Sequence, residues 1–135
     1  MLFRSIVYAN SRMVMKYPGK FYLVPQDVIA NAGAIATYLA CFDGHENVYL
    51  LGFDGQRDNN LNNNIYAGTN AYQPEDVHTT SYYHENTMAR VMSLYSEVNF
   101  VRVTPTKGYA CPESWKELPN FRQIDFWEFA LEVDL

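Results

Sequence analysis

Basic residues are scarce in this sequence. Lys and Arg total 10 of 135 residues without forming a run, and the formal net charge is -5. A protein that binds nucleic acid through its phosphates needs a basic patch, so this composition argues against a nucleic-acid partner. One small anionic ligand is still compatible with it, because a helix N-terminus and a single cation can hold a phosphate.

Cysteines and long apolar runs are scarce as well. Cys41 and Cys111 are too few for a disulfide framework and lack the spacing of a metal site, which favours a reducing compartment. The most apolar stretch, residues 30–42, is too short to span a membrane, and no signal peptide is evident. We therefore expect a cytoplasmic protein with no transmembrane segment, no metal and no cofactor.

Sequence motifs of high specificity are absent too. The chain contains no P-loop and no G-x-G-x-x-G, G-x-S-x-G, H-E-x-x-H or C-x-x-C pattern. Any function must therefore be inferred from weaker combinations of residues.

The chain does contain enough apolar mass for one folded domain, at 48% hydrophobic and 16% aromatic residues. Apolar runs predict strands at 5–9, 21–24, 48–53 and 98–103, the third of them parallel and covered on both faces. Helical spacing predicts a helix over 28–42, capped by Asp27 or Asn31, and a second through residue 97, capped by Asn86 or Thr87. A helical turn near Trp115 and a last helix over 125–131 follow. This order predicts an α/β, Rossmann-like domain with a mostly parallel sheet and flanking helices.

A long polar segment, residues 54–84, leaves the end of the third predicted strand. Such loops in compact domains often serve as lids or binding elements, so we interpret this one as a lid; a plain surface insertion is the alternative. Its last residue, His84, is expected just before a helix, where the helix dipole would favour the neutral imidazole as a base. An exposed histidine without a role is the alternative.

Other candidate ligand-binding residues cluster at the predicted strand ends and in the polar segment. Asn31, Ala32 and Gly33 open the first long helix, where backbone N–H groups can face an anion and a glycine permits close approach. Asp54 follows Gly52 and Phe53 at a strand end and could bind a ribose hydroxyl or a metal, or could only serve as a cap or form an Asx-turn. Tyrosines in and beside the polar segment, including Tyr66, could donate hydrogen bonds to a phosphate.

The order of these elements resembles the bacterial sialyltransferases of the lipooligosaccharide type, which use CMP-sialic acid. The resemblance rests on the helix start at Asn31, the strand 47–54 that closes in Gly-x-Asp, the polar loop with its tyrosines, and His84 ahead of a helix. It implies His84 as the catalytic base, and a donor site formed by the helix start, Gly52, Asp54, Gln56 and Tyr66. Gln56 stands where that family has its first phosphate-binding tyrosine, and the typical Ser or Thr of the helix start is missing.

The resemblance implies a glycosyltransferase that moves a sugar from a CMP-activated donor to a glycan or lipid-linked glycan, at the inner face of the membrane. The family places a nucleotide-binding half before this region, so we expect the C-terminal part of a larger domain and treat residues 1–135 as one domain, possibly truncated. Without that half the chain could be inactive. The Gly-x-Asp strand also resembles a Rossmann-like family of pterin pyrophosphokinase-related and flagellin-glycosylation proteins. The alternative function is therefore pyrophosphoryl transfer or non-catalytic nucleotide binding.

Overall fold

The structure is a computed structural model that describes residues 7–24, 31–53 and 81–134, without the side chains of residues 81 and 82. Strands and helices alternate along these residues. The strands are β1 (Tyr8–Ala9), β2 (Tyr22–Leu23), β3 (Asn47–Leu51), β4 (Asn99–Thr104) and β5 (Phe121–Asp125). The helices are α1 (Ser11–Lys16), α2 (Ala32–Phe42), α3 (Ser81–Leu94), α4 (Glu113–Lys116) and α5 (Phe126–Glu132).

All strand pairs in the described residues are parallel, which confirms the predicted α/β, Rossmann-like fold. A two-stranded sheet pairs β1 with β2, and a three-stranded sheet has the order β3-β4-β5. In the larger sheet Leu50 pairs with Arg102, and Arg102 pairs with Gln123 on the far side. Strand β4 is therefore the central strand of this sheet and pairs with both β3 and β5.

The two faces of the three-stranded sheet are covered by different helices. Phe100 of β4 packs in the main core with Ala34 and Tyr38 of α2 and Met88 and Met92 of α3; we call this side the α3 face. Trp115 of α4 lies in the same core. Because side chains alternate along a strand, the residues on either side of Phe100 and Arg102 point to the opposite side. Val101 and Val103 accordingly pack with Ile124 and Phe129, and we call this side the α5 face.

Short polar contacts fix the helix ends. The Asn31 side chain caps α2 by accepting a hydrogen bond from Ala34 N at 2.8 Å, as one of the two predicted caps. Asp125 and Glu128 form a reciprocal capping box at the start of α5. The Nδ2 group of Asn120 donates to three carbonyls at and beyond the C-terminal end of α3, those of Met92, Tyr95 and Val98, each at 3.0 Å.

The start of α3 differs from the prediction. The helix begins at Ser81, so Asn86 and Thr87 lie inside it and do not cap it. The Thr87 hydroxyl instead donates to the Tyr83 carbonyl at 2.8 Å, one turn back along the helix. The residues from Ser81 to Thr87 are polar or aromatic and carry no apolar period, which is why hydrophobic spacing placed the start too late.

Three further features of the chain depart from the prediction. Strand β5 was missed because Arg122 and Gln123 interrupt its apolar pattern, and helix α1 was missed altogether. Among the described residues β3 pairs on one side only, with β4, and its last residue, Leu51, is 52% exposed, so the expectation that both faces of the strand are covered does not hold at Leu51. Residues 5 and 6 of the first predicted strand and residues 54–80 of the polar segment lie outside the described residues.

Candidate functional site

The carboxyl ends of β3, β4 and β5 lie at one edge of the sheet because the three strands are parallel. Helix α3 connects β3 to β4 and therefore begins at this edge. Helix α2 begins there too, since Gly33 in its first turn lies against Phe53, just beyond the end of β3. In open α/β sheets ligands bind at this edge, and we refer to it as the carboxyl edge.

The start of α2 is built around a contact between a glycine and an aromatic ring. A Cβ atom placed on Gly33 would lie 2.9 Å from Cε1 of Phe53 and 3.3 Å from Oδ1 of Asn31. The close approach that the sequence predicted for Gly33 is thus made by a side chain of the protein itself. Asn31 is occupied as the helix cap, which leaves the backbone of Ala32 and Gly33 as the part of this motif that can face a ligand.

Arg102 is the most deeply buried charged side chain that the structure describes, at 1% exposure. Its Nε donates to the Phe53 carbonyl at 2.9 Å, and one terminal nitrogen donates to the Ala110 carbonyl at 2.8 Å and to Oε1 of Gln123 at 3.0 Å. The guanidinium carbon also lies 5.4 Å and 5.6 Å from the ring centres of Tyr109 and Trp115. Arg102 thus links the residue after the end of β3, the segment after β4 and strand β5 through hydrogen bonds.

His84 lies in the first turn of α3 with its side chain exposed, whereas the sequence placed it just before the helix. Its ring contacts that of Tyr83, with centroids 5.9 Å apart. The helix backbone beside it is held by Trp115, whose Nε1 donates to the Glu85 carbonyl at 2.8 Å. Burial raises the pKa of Glu85, and the nearby positive charge of Arg102 partly offsets this rise.

A groove of about 500 Å³ opens on the α5 face of the carboxyl edge. It is formed by the ends of β3 and β4 and by the first turn of α5. Phe126 and Trp127 form its aromatic side and are 50% and 76% exposed. The lining residues are Leu51, Gly52, Val103, Thr104, Pro105, Phe126 and Trp127.

The predicted site residues are only partly gathered in one place. Gly52 lines the groove, whereas Asn31, Ala32 and Gly33 lie at the start of α2 and His84 at the start of α3. The other predicted donor-binding residues, Asp54, Gln56 and Tyr66, lie outside the described residues. Phe126 and Trp127 were not expected to line a groove; the signal available was two adjacent aromatics directly after the capping residue Asp125. Phe129 of the same helix packs on the sheet against the cluster of Val101, Val103 and Ile124.

Nucleophilic and metal chemistry find little support among the described residues. Burial raises the pKa of Cys41 to about 11 and also raises the pKa of Cys111, so both thiols are protonated at neutral pH. Within residues 7–24, 31–53 and 81–134, no three or more His, Cys, Asp or Glu side chains come together as a metal site would require. No helix in the same ranges combines the length and the apolar character needed to cross a membrane.

Comparison of the chain with models of protein families, with curated proteins and with solved structures finds no match. The sialyltransferase resemblance therefore stays a prediction from the sequence.

Proposed function

We propose that this protein binds a nucleotide-activated sugar, CMP-linked, at the carboxyl edge of the three-stranded sheet and transfers the sugar to an acceptor hydroxyl. His84 removes the proton from that hydroxyl while the nucleotide leaves with its phosphate. The acceptor is a glycan or a lipid-linked glycan, and the reaction takes place in the cytoplasm, at the inner face of the membrane when the acceptor is lipid-linked.

The observation that carries this proposal is the convergence of two helix starts and one strand end at the carboxyl edge. The first turn of α2 contacts Phe53 through Gly33, and Arg102 donates a hydrogen bond to the Phe53 carbonyl. The first turn of α3, which bears His84, is held by Trp115. Backbone N–H groups at a helix start favour a phosphate, so the edge combines an anion-binding element with an exposed imidazole.

Charge stabilisation and proton transfer would contribute separately to the rate. A departing nucleotide phosphate gains negative charge in the transition state, and helix N-termini at the edge would stabilise it. A positioned base contributes roughly 100 to 10,000-fold to a rate. His84 should therefore affect turnover far more than it affects binding of the donor.

A second candidate function is nucleotide binding without glycosyl transfer. It is favoured by the surroundings of His84: in the described part of the chain its imidazole makes a ring contact with Tyr83 but no side-chain hydrogen bond that would orient it. A base usually has such an orienting partner. Under this candidate the carboxyl edge binds a nucleotide and His84 is a surface residue.

A thermal-shift titration of the 135-residue protein with CMP tests the proposal, with UMP, GDP and a pterin as controls. A ligand that binds the folded state raises its stability by about 2.7 kcal/mol at 100 times its dissociation constant. We expect a concentration-dependent rise in Tm with CMP that UMP and GDP do not match. A response to the pterin alone would favour the pyrophosphokinase-related family, and no response to any of the four would overturn the proposal.

A further inference from the structure

We infer that the groove on the α5 face binds a neutral sugar ring, and that this ring belongs to the acceptor glycan. That the bound sugar is the acceptor rests on the proposed function. That the groove binds a sugar rests on separate observations. None of the groove's aromatic residues belongs to the site that the sequence predicted.

The aromatic side of the groove has the form of a sugar platform. Trp127 is 76% exposed and Phe126 is 50% exposed, and both lie in the first turn of α5. Their ring centroids are 6.5 Å apart and their planes meet at 72°, so the two rings form a corner. The C–H face of a pyranose is apolar and flat, and an exposed indole face is a suitable surface for it.

The floor of the groove is apolar. Leu51 and Val103 are direct partners in the β3–β4 ladder, so their side chains lie next to each other on the α5 face. Gly52 follows with a φ of 74° and no heavy atom within 4 Å of the position where a Cβ would stand, which keeps the groove open beside the strand end. A groove of about 500 Å³ is large enough for one or two sugar rings.

The charges next to the groove select against a phosphate and suit hydroxyl groups. Lys107 lies 3.2 Å from Glu128 and 4.0 Å from Asp125, and these two carboxylates flank Phe126 and Trp127 in the chain. Asp125 is 5% exposed and caps α5, so Lys107 and Glu128 are the members of this cluster that a sugar hydroxyl can reach, while the excess of one negative charge in the cluster disfavours a phosphate. A neutral polyhydroxylated ring therefore fits this surface better than a nucleotide does.

The groove lies next to the proposed donor site. Gly52, which the sequence assigned to the donor site, lines the groove. A sugar seated on Trp127 thus lies beside the same end of β3 that the donor would occupy. This neighbourhood is what a transfer between two bound sugars requires, because the reacting groups must be held close together.

Saturation-transfer NMR with methyl β-galactoside, methyl β-glucoside and methyl α-mannoside tests the inference on the 135-residue protein. We expect at least one glycoside to bind with a Kd on the order of 1 to 10 mM. Trp127→Ala should weaken this binding about tenfold through loss of the ring contact. The matched control is Leu131→Ala, which removes a side chain that is 81% exposed on the same helix and does not line the groove.

Tryptophan fluorescence gives an independent reading of the same site. The chain has two tryptophans, of which Trp115 is 2% exposed and Trp127 is 76% exposed, so the neutral quencher acrylamide should act mainly on Trp127. A bound glycoside should protect the emission from acrylamide. Absence of glycoside binding, equal binding by Trp127→Ala and the wild type, or protection by cytidine in place of the glycosides would each overturn the inference.

The outcome can be separated from that of the proposed function. If CMP raises the Tm of the wild type and of Trp127→Ala equally, while no glycoside binds, the groove inference fails and the donor proposal stands. If glycosides bind and CMP does not, the groove is a sugar site and the glycosyl-transfer proposal fails.

Discussion

Gly33 lies directly against the ring of Phe53, so closely that a Cβ atom at position 33 would come within 2.9 Å of Cε1 and 3.0 Å of Cζ. This contact joins the start of α2 to the end of β3. Phe53 in turn packs against the main core, which limits how far the ring can move away. The glycine of the Asn-Ala-Gly motif is thus explained by packing within the protein, whatever else it contacts.

Gly33→Ala should therefore destabilise the protein by up to about 1 kcal/mol, because the cost of shifting the ring in a packed environment is partly offset by the higher helix propensity of alanine. Chemical denaturation of the single variants Gly33→Ala and Phe53→Leu and of the double variant measures the coupling between the two positions. We expect the double variant to be more stable than the sum of the single losses predicts. Strict additivity would contradict the contact.

Arg102→Met should cost about 3 kcal/mol of unfolding free energy, because it leaves the Phe53 and Ala110 carbonyls without their donor in a buried region. Arg122→Met is the matched control: Arg122 lies on the adjacent strand β5, and its side chain is 50% exposed. Exposed ion pairs contribute little, so the control should lose much less stability in urea denaturation. Equal losses in the two variants would show that Arg102 is not an anchor.

Asn120→Asp should destabilise the protein by about 3 kcal/mol. The substitution replaces the donating amide with a carboxylate oxygen that faces three carbonyl oxygens around the end of α3. Asn99→Asp is a control at an exposed position, where we expect a change below about 0.5 kcal/mol. Denaturation midpoints of the two variants at neutral pH give the comparison, and a mild effect at position 120 would contradict the assigned donor role.

Glu132 gives α5 a predicted pH dependence. Its pKa is lowered from an ordinary value of 4.5, first by the hydrogen bond from Arg122 and then by that from Tyr49. A lowered folded-state pKa means that the contribution to stability is present above about pH 4.5 and is lost as the pH falls through the folded-state value. Melting curves from pH 7 downwards should show a shallower loss of Tm for Glu132→Gln than for the wild type. Parallel curves would contradict this assignment.

His84→Ala should lower turnover with a CMP-activated donor by roughly 100 to 10,000-fold while leaving the CMP-induced thermal shift unchanged. The control is His45→Ala, because His45 is equally a surface histidine but lies in the turn between α2 and β3, at the opposite edge of the sheet. Loss of CMP binding with intact turnover would refute the assignment of His84 as the base.

Much of the fold was predictable because its main elements carry local signals. The apolar run at 48–51 and the apolar residues of 100–103 identify β3 and β4, and apolar spacing after Asn31 identifies α2. Strand β5 has no such signal, because Arg122 and Gln123 interrupt its apolar pattern. In the folded protein Gln123 accepts a hydrogen bond from Arg102, and Arg122 donates one to Glu132. The beginning of α3 was misplaced for the same reason, because its first residues contribute no apolar stripe.

The sequence by itself indicated the α/β class and the parallel sheet, offered Asn31 as one of two caps for α2, and placed His84 near a helix start. These follow from short-range periodicity and capping chemistry, which act within a few residues. Only the tertiary structure decided that Arg102 is buried beneath the carboxyl edge and that Leu51, Val103 and Trp127 form one groove. The groove residues come from three separate segments of the chain, and pairing and packing between strands are what bring such segments together.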